Sequence, residues 1–193
     1  PVVGVSWNQA NNYCAWRTDR VNERILINEG ILKEDIEQLD ENTFNTEAYL
    51  NGQYEGIIKR NPKNLDPTTG EETRRVKMID GILLPNYRLP TEAEWEFAAL
   101  GYVGNTDGEN VSKRKIYPWN GSSLRNSNEK NQGEIMANFK RGRGDNMGTS
   151  GGLNDNADIT APVRSYWPND YGIYNMAGNV SEWVMDVYRP VIE

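Results

Sequence analysis

The sequence predicts an α+β fold that is rich in loops and has two main helices and short strands. Two capping boxes mark the helix starts, because Gln9 follows Ser6 and Glu94 follows Thr91 at the spacing that lets side chain and backbone cap each other. Apolar residues make up only 37% of the chain and the mean hydropathy is −0.78, yet six Trp and ten Tyr argue against disorder. With 193 residues the chain can bury one sizeable core or two small ones.

The N-terminal part of the chain predicts a strand followed by a helix. Residues 2–5 are three valines around one glycine, a run typical of a strand. The helix that begins after Ser6 is amphipathic, and its buried face is predicted from apolar residues at helical spacing, namely Ala10, Cys14, Val21 and Ile25. On this face Cys14 is most simply a small core residue.

Residues 29–47 form an acidic segment with seven carboxylates and one lysine. Apolar residues recur in it at helical intervals, which predicts a surface helix with a solvated acidic face; they are Ile31, Leu32, Ile36 and Leu39. The alternative is a docking surface for a basic partner. Further along, residues 66–70 (DPTTG) are a strong turn signal, so we expect a β-hairpin or an extended excursion between residues 57 and 79.

The second helix is predicted within residues 87–99, YRLPTEAEWEFAA. Thr91 caps it, and Trp95 with Ala98 and Ala99 is predicted to face inward. The glutamates of its first turns lie near the positive end of the helix dipole. Capping and solvation therefore explain these carboxylates better than acid–base catalysis does.

Residues 112–143 reverse the charge balance, with eight basic and two acidic side chains around Tyr117 and Trp119. A basic strip with aromatic residues can bind phosphate backbones. The net charge of −7 disfavours nucleic acid as a partner, however, so we favour a solvated loop. The next stretch, residues 142–158, is rich in Gly, Asn and Asp; it is either disordered or organised by a bound cation.

The composition also narrows the functional classes. The chain has no histidine, and so lacks both the commonest transition-metal ligand and the commonest general base. The single cysteine cannot form an internal disulfide. No apolar run reaches the length of about 18 residues that a membrane-spanning helix needs, and no signal peptide opens the chain. We expect both ends of the chain to be truncated, because each lies beside a short apolar segment of the kind found inside a domain.

The most informative stretch is GIYNMAGNVSEW, residues 172–183. Oxygen donors recur there as a loop around a hard cation requires, at Asn175, Gly178, Val180 and Glu182. By itself the same stretch is also compatible with a helix start, with Asn179 or Ser181 as the N-cap.

The chain resembles the formylglycine-generating enzyme, or sulfatase-modifying-factor, family. The resemblance rests on motifs that occur in the family's order, namely YRLPTEAEWEFAA, YPW at 117–119, ANF at 137–139, TAPV at 160–163 and YGIYNMAGNVSEWVMDVY at 171–188. The chain would then be one partial domain of this family, with a long insertion at residues 28–80. The insertion, WRTDRVNE at 16–23 and VYRPVIE at the end resemble most the gliding-motility lipoproteins of Bacteroidetes-type bacteria.

The resemblance implies a C-type-lectin-like variant fold that bound calcium helps to hold together. In one family site the ligands are two side chains, which correspond to Asn175 and Glu182, and two backbone carbonyls, which correspond to Gly178 and Val180. A second family site corresponds to Asn138, Phe139, Asp155 and Ala157, where this chain inserts a few residues between the two halves.

The family's enzymes oxidise a substrate cysteine through two copper-binding cysteines that lie downstream of the NVSEW segment. No residue of this chain corresponds to them, and no copper is expected in it, because Cys14 corresponds instead to a structural helix cysteine. We therefore expect a non-catalytic, calcium-stabilised scaffold on the periplasmic face of the outer membrane, held by a lipid anchor outside this chain. Its partners would be other proteins of the gliding-motility and type IX secretion machinery, not nucleic acid.

Two other functions stay open. One is a copper oxidoreductase of the formylglycine-generating type whose cysteines lie beyond residue 193. The other is a lectin-like or peptidoglycan-binding module. Exposure of Trp7, Trp119 or Trp167 beside the calcium sites would favour that module, and burial of all three would count against it.

Overall fold

The chain divides into two compact units. One comprises Ser6–Leu89, and the other combines Pro1–Val5 with Pro90–Glu193. The structure, a computed structural model, describes residues 1–39, 42–108, 110–119, 121–139, 157 and 159–187.

Regular secondary structure is sparse among the described residues. The helices are α1 (Trp7–Asn28), α2 (Thr46–Leu50) and α3 (Glu92–Leu100), with 3₁₀ turns at Met78–Asp80 and Glu129–Asn131. The strands β1 (Thr106–Asp107) and β2 (Asn110–Val111) pair in antiparallel fashion, with Thr106 opposite Val111. A few helices with so little strand are compatible with the predicted loop-rich α+β class. Within the described part of the chain, no helix combines the length and the apolar character needed to cross a membrane.

Both predicted capping boxes are confirmed. Ser6 Oγ accepts a hydrogen bond from the amide of Gln9, and the Gln9 side chain accepts one from the amide of Ser6. Thr91 and Glu94 exchange the same pair of bonds, at 3.2 and 2.8 Å. Each box satisfies two amide groups that the first helical turn leaves without partners.

The prediction of the buried face of α1 was wrong. The fully buried residues are Thr18, Asn22 and Leu26, whereas the predicted apolar face, including Cys14, is only half-buried. The reason is that polar side chains of α1 bind backbone: Asn22 Oδ1 accepts from the amide of Leu84 and Asn22 Nδ2 donates to its carbonyl. Burial of an amide is tolerated when its hydrogen bonds are made.

In its described residues 29–39 and 42–45, the acidic segment does not continue as the predicted surface helix. The chain leaves α1 through Gly30, which has φ +70°, and the amide of Ile31 then bonds to the carbonyl of Leu26. Ile31 and Leu32 are both buried although they are adjacent, and Leu32 forms an antiparallel bridge with Ile58. Two adjacent buried residues fit this extended path better than one face of a surface helix.

The turn predicted at residues 66–70 closes a hairpin-like connection. Lys63 and Thr73 form an antiparallel bridge, and the amide of Asn64 donates to the carbonyl of Glu72. Inside the turn the carboxylate of Asp66 accepts from the amide of Thr68. The hairpin prediction is therefore confirmed at its turn.

The unit Ser6–Leu89 has a core of its own. Its buried apolar residues are Leu26, Ile31, Leu32, Phe44, Tyr49, Val76 and Leu83. Most of them come from residues 28–80, the expected insertion, so this segment folds around its own apolar cluster instead of projecting as a loop.

In the described residues of the other unit, hydrogen bonds accompany a small apolar cluster. Its buried apolar cluster consists of Ala157, Ala161 and Tyr166. Asn169 closes the C-terminal end of α3, because its Nδ2 donates to the carbonyls of Ala98 and Ala99. Its Oδ1 accepts from the amides of Tyr171 and Ile173, which ties α3 to the start of the 172–183 segment. Ala99 is buried and Trp95 half-buried, in agreement with the predicted inward face of α3.

Residues 2–5 do not form the predicted strand. Val2 and Val3 are 80% and 63% exposed. Backbone pairing with these residues is absent from the described part of the chain, and a strand without a partner leaves its amides and carbonyls unpaired.

Candidate metal centre

The 172–183 segment contains four residues with left-handed backbone, the first of which is Gly172 with φ +77°. Asn175, Gly178 and Asn179 have φ of +56°, +78° and +70°. These two asparagines are the only residues other than glycine with positive φ in the part of the chain that the structure describes. Asparagine tolerates this conformation better than most residues, so the composition of the segment allows its tight path.

Asn179 holds the segment against two other parts of the unit. Its amide donates to the carbonyl of Asn138 at 2.6 Å. Its side chain pairs with the backbone of Ala161, with Oδ1 accepting from the amide at 2.9 Å and Nδ2 donating to the carbonyl at 3.2 Å. Oδ1 also accepts from Asn138 Nδ2 at 3.2 Å. The Asn179 side chain thereby satisfies both the backbone amide and the backbone carbonyl of Ala161.

Gly178 is required by a close approach of the backbone. A Cβ atom placed on this residue would lie 2.1 Å from the carbonyl oxygen of Asn138. No side chain fits there unless the backbone moves, so glycine lets the two segments touch.

All four predicted ligands of the first site line one cavity of about 170 Å³. They are Asn175, Gly178, Val180 and Glu182, and Pro1, Val163, Arg164, Tyr174 and Asn179 complete the lining. The structure therefore brings together the residues that the sequence singled out. Their ligation of a metal stays a prediction.

Asn175 lines this cavity and has an unpaired side-chain oxygen. Its Nδ2 donates to the carbonyl of Val163 at 2.7 Å, which fixes the orientation of the amide because a carbonyl can only accept. Its Oδ1 is buried and has no hydrogen-bond partner among the described residues. An unpaired buried oxygen costs about 1–3 kcal/mol, a cost that a bound cation would remove.

Glu182, which is exposed, supplies the negative charge and is contacted from α3. Trp95 Nε1 donates to Glu182 Oε2 at 2.7 Å. A carboxylate has about four lone-pair sites, so one hydrogen bond leaves room for a cation.

The donor set fits a weakly bound hard cation. The carbonyl of Gly178 already accepts from the amide of Val180 at 3.0 Å, which leaves one lone pair on that oxygen. Glu182 is the one carboxylate of the lining, and Arg164 brings a positive charge to the same wall. Groups of three or more His, Cys, Asp or Glu side chains suited to a metal are absent from the described residues. Since calcium affinity rises with the number of charged ligands, a site of this composition is expected to bind Ca²⁺ weakly.

Three of the four predicted ligands of the second site are among the described residues. Asn138 is buried, and its Nδ2 donates to the carbonyl of Ile159 at 3.1 Å. Phe139 is half-buried and Ala157 is buried, while Asp155 lies outside the described residues. The segment of this site that is described is thus joined to the first site through Asn138.

Two residues that contact the site are not predicted from the sequence in that role. The sequence predicts Asn179 only as a possible helix cap, although two asparagines in a glycine-containing turn are a signal for left-handed backbone. The sequence predicts that Trp95 faces the interior from its helix, and nothing in the sequence connects its indole with Glu182, 87 positions later.

The tryptophans named for a lectin-like module differ in exposure. Trp167 is 57% exposed and Trp7 is 40% exposed, so the three are not all buried. Trp119 is half-buried and donates from Nε1 to the carbonyl of Ser123. Neither Trp119 nor Trp167 lines the cavity, and so the module gains no support from them.

Comparison with known proteins identifies the family. A family model described as the sulfatase-modifying factor enzyme 1-like domain matches residues 1–193. The formylglycine-generating enzyme of Streptomyces coelicolor is 39% identical over 103 residues, which are 53% of this chain and 27% of that protein. The formylglycine-generating enzyme of Mus musculus is 37% identical over 99 residues, or 51% of this chain and 22% of that protein.

The relatives also include proteins described as lacking the activity. One named inactive C-alpha-formylglycine-generating enzyme 2, from Mus musculus, is 36% identical over 104 residues, or 53% of this chain and 27% of that protein. The chain spans about a quarter of the length of these relatives. No solved structure matches it. The family match along the chain shows that the protein belongs to the sulfatase-modifying factor enzyme 1-like domain family.

Proposed function

We propose that this chain is a non-catalytic scaffold stabilised by calcium. The observation that carries the proposal is that Asn175, whose Oδ1 is buried and unpaired, lines the same cavity as Glu182. Ca²⁺ takes hard oxygen ligands and tolerates irregular coordination. Asn175 and Glu182 would hold it through side chains, and Gly178 and Val180 through backbone oxygens. The ion would supply charge neutralisation and would cross-link the segments that line the cavity.

Chelation tests the calcium part of the proposal. Removing Ca²⁺ with excess chelator is expected to lower the melting temperature, because the ion binds only the folded state. At calcium about tenfold above Kd the ion contributes about 1.4 kcal/mol, which corresponds to a shift of about 3 °C or more. Amide exchange should become faster at residues 138–139 and 159–183.

Two variants make this test specific. Glu182→Ala is expected to reproduce the effect of chelation and to be insensitive to added calcium. Glu96→Ala is the matched control, since Glu96 is an exposed glutamate of α3 that does not line the cavity. An unchanged melting temperature in chelator, with no calcium found by elemental analysis, would remove the calcium site.

The non-catalytic part rests on the relatives. The family includes both enzymes and proteins described as inactive. With the full-length protein, copper loading and a cysteine-containing sulfatase peptide should yield no formylglycine by mass spectrometry. Turnover in this assay would favour the copper oxidoreductase instead.

The cellular role we propose is that of the gliding-motility lipoprotein GldJ, which the motifs resemble most. The protein would be lipid-anchored at the periplasmic face of the outer membrane and would contact other proteins of the gliding and type IX secretion machinery. Deletion of the gene should abolish colony spreading and secretion, and the full-length gene should restore both. A deletion strain that spreads and secretes normally would contradict this role.

Residues 29–39 are the part of the insertion best suited to a protein contact. Ile36 and Leu39 are 90% and 77% exposed within this acidic segment. A protein interface typically has an apolar centre and a polar rim, which these two side chains and the acidic residues around them could supply. Ile36→Ser with Leu39→Ser should reduce colony spreading without lowering the melting temperature, whereas Leu65→Ser, at another exposed leucine, should leave spreading unchanged.

A further inference from the structure

We infer that Trp95 is a positioning residue of the calcium site, acting through Glu182. The inference rests on the proposed calcium site and adds a residue outside its ligand set. Trp95 does not line the cavity, but its indole Nε1 donates to Glu182 Oε2 at 2.7 Å. One oxygen of the carboxylate is thereby held, and the other is left for the ion.

α3 is a suitable support for this contact because its start is fixed on two sides. The Thr91 capping box defines the first turn. The segment that follows Glu182 is bonded to the same turn, since the amide of Met185 donates to the carbonyl of Pro90 at 2.8 Å and the amide of Glu92 donates to Asp186 Oδ2 at 2.5 Å. The indole thus belongs to a set of three contacts between α3 and residues 182–186.

The contact matters because a glutamate side chain has several rotatable bonds. Without a partner, Glu182 would lose rotamer freedom when the ion binds, and that loss would weaken binding. The indole restricts the carboxylate before the ion arrives. Groups that orient a metal ligand in this way typically change metal affinity by about 10–100-fold when they are removed.

Trp95→Phe is the direct test, because it removes the N–H donor and keeps an aromatic ring on α3. Tb³⁺ serves as the probe, since it takes the same hard oxygen ligands as Ca²⁺ and reports its hydration through its luminescence lifetime. The variant is expected to bind Tb³⁺ and Ca²⁺ about tenfold more weakly. The lifetime of directly excited, bound Tb³⁺ should shorten, because water replaces a carboxylate that is no longer held.

Trp119→Phe is the matched control. Its Nε1 also donates to an oxygen, the carbonyl of Ser123 at 2.9 Å, but it does not line the cavity. This variant should keep the wild-type affinity and lifetime.

A double-mutant cycle separates positioning from a general loss of stability. In a Glu182→Asp background, which keeps the charged ligand but shortens it away from the indole, adding Trp95→Phe should change Tb³⁺ affinity less than twofold. Equal weakening in both backgrounds would show that Trp95 acts through the fold and would overturn the inference. Wild-type protein that binds neither ion would instead remove the calcium site itself. Wild-type binding with an unchanged Trp95→Phe variant would leave the site standing and overturn only the role of Trp95.

Discussion

The backbone amide of Asn179 donates to the carbonyl oxygen of Asn138 at 2.6 Å, across 41 positions of sequence. Asn138 belongs to the second predicted calcium site, and Asn179 lies in the loop of the first. The contact therefore joins the two candidate sites through the backbone. A change that separates these residues is expected to disturb both sites together.

Gly178→Ala should separate them. The new Cβ would lie 2.1 Å from the carbonyl oxygen of Asn138, and the residue would also keep a φ of +78°. We expect the free energy of unfolding to fall by about 3 kcal/mol or more, measured by denaturant titration.

Gly172→Ala separates the effect of the contact with Asn138 from the effect of the left-handed backbone. Gly172 has a similar φ, +77°, but a Cβ there meets no atom within 4 Å. This variant should lower the free energy of unfolding by only about 1–2 kcal/mol, because alanine disfavours the left-handed conformation. Equal losses in the two variants would show that the contact with Asn138 is not tight in solution.

Asn179→Ala should remove the side-chain bonds to Ala161 and Asn138. At about 1 kcal/mol per hydrogen bond, with the added cost of alanine at φ +70°, the loss should be about 3–5 kcal/mol. Asn179→Gly lacks the conformational cost and should lose about 1–2 kcal/mol less. If Asn179→Gly is as stable as the wild type, the side-chain bonds contribute nothing.

Asn22→Ala should be strongly destabilising in the unit Ser6–Leu89. Asn22 is fully buried and serves both the amide and the carbonyl of Leu84. Its removal leaves those groups without a partner, at a cost of about 2–4 kcal/mol in thermal or chemical unfolding. Asn12→Ala, at an exposed asparagine of the same helix, should change the stability by less than about 0.5 kcal/mol.

Asp80 is expected to make stability depend on pH in the acidic range. Arg74 donates two hydrogen bonds to its carboxylate, at 2.7 and 2.6 Å, and together with the amide of Lys77 this lowers the pKa of Asp80 to about 2. Because the pKa is lower in the folded state, the contribution is fully present above the ordinary pKa of about 4 and is lost as the pH falls towards 2.

Unfolding measured across this range should show the effect. The stability difference between wild type and Asp80→Asn should be constant above about pH 4 and shrink below it. A difference that stays the same down to about pH 2 would contradict the assigned pKa.

Predictions from local sequence patterns are confirmed where the interacting residues lie close in sequence. The capping boxes at Ser6 and Thr91 depend on residues three positions apart, and both are present. The helix prediction for the acidic segment was wrong because apolar spacing alone does not show whether Leu32 packs as part of a helix or pairs with Ile58 as an extended segment. The prediction of the buried face of α1 was wrong because Asn22 can be buried only with its hydrogen-bond partner Leu84. That partner lies 62 positions away in the sequence.

The sequence by itself determined the family motifs, the two main helix starts and the set of oxygen donors at residues 175–182. Motifs and caps are encoded within short windows, and their physical chemistry needs no distant partner. Only the tertiary structure decided that Asn175 keeps an unpaired buried oxygen, that Gly178 touches Asn138 and that Trp95 holds Glu182. Each of these depends on segments that folding brings together, because burial and hydrogen-bond satisfaction are properties of the assembled chain and not of its local sequence.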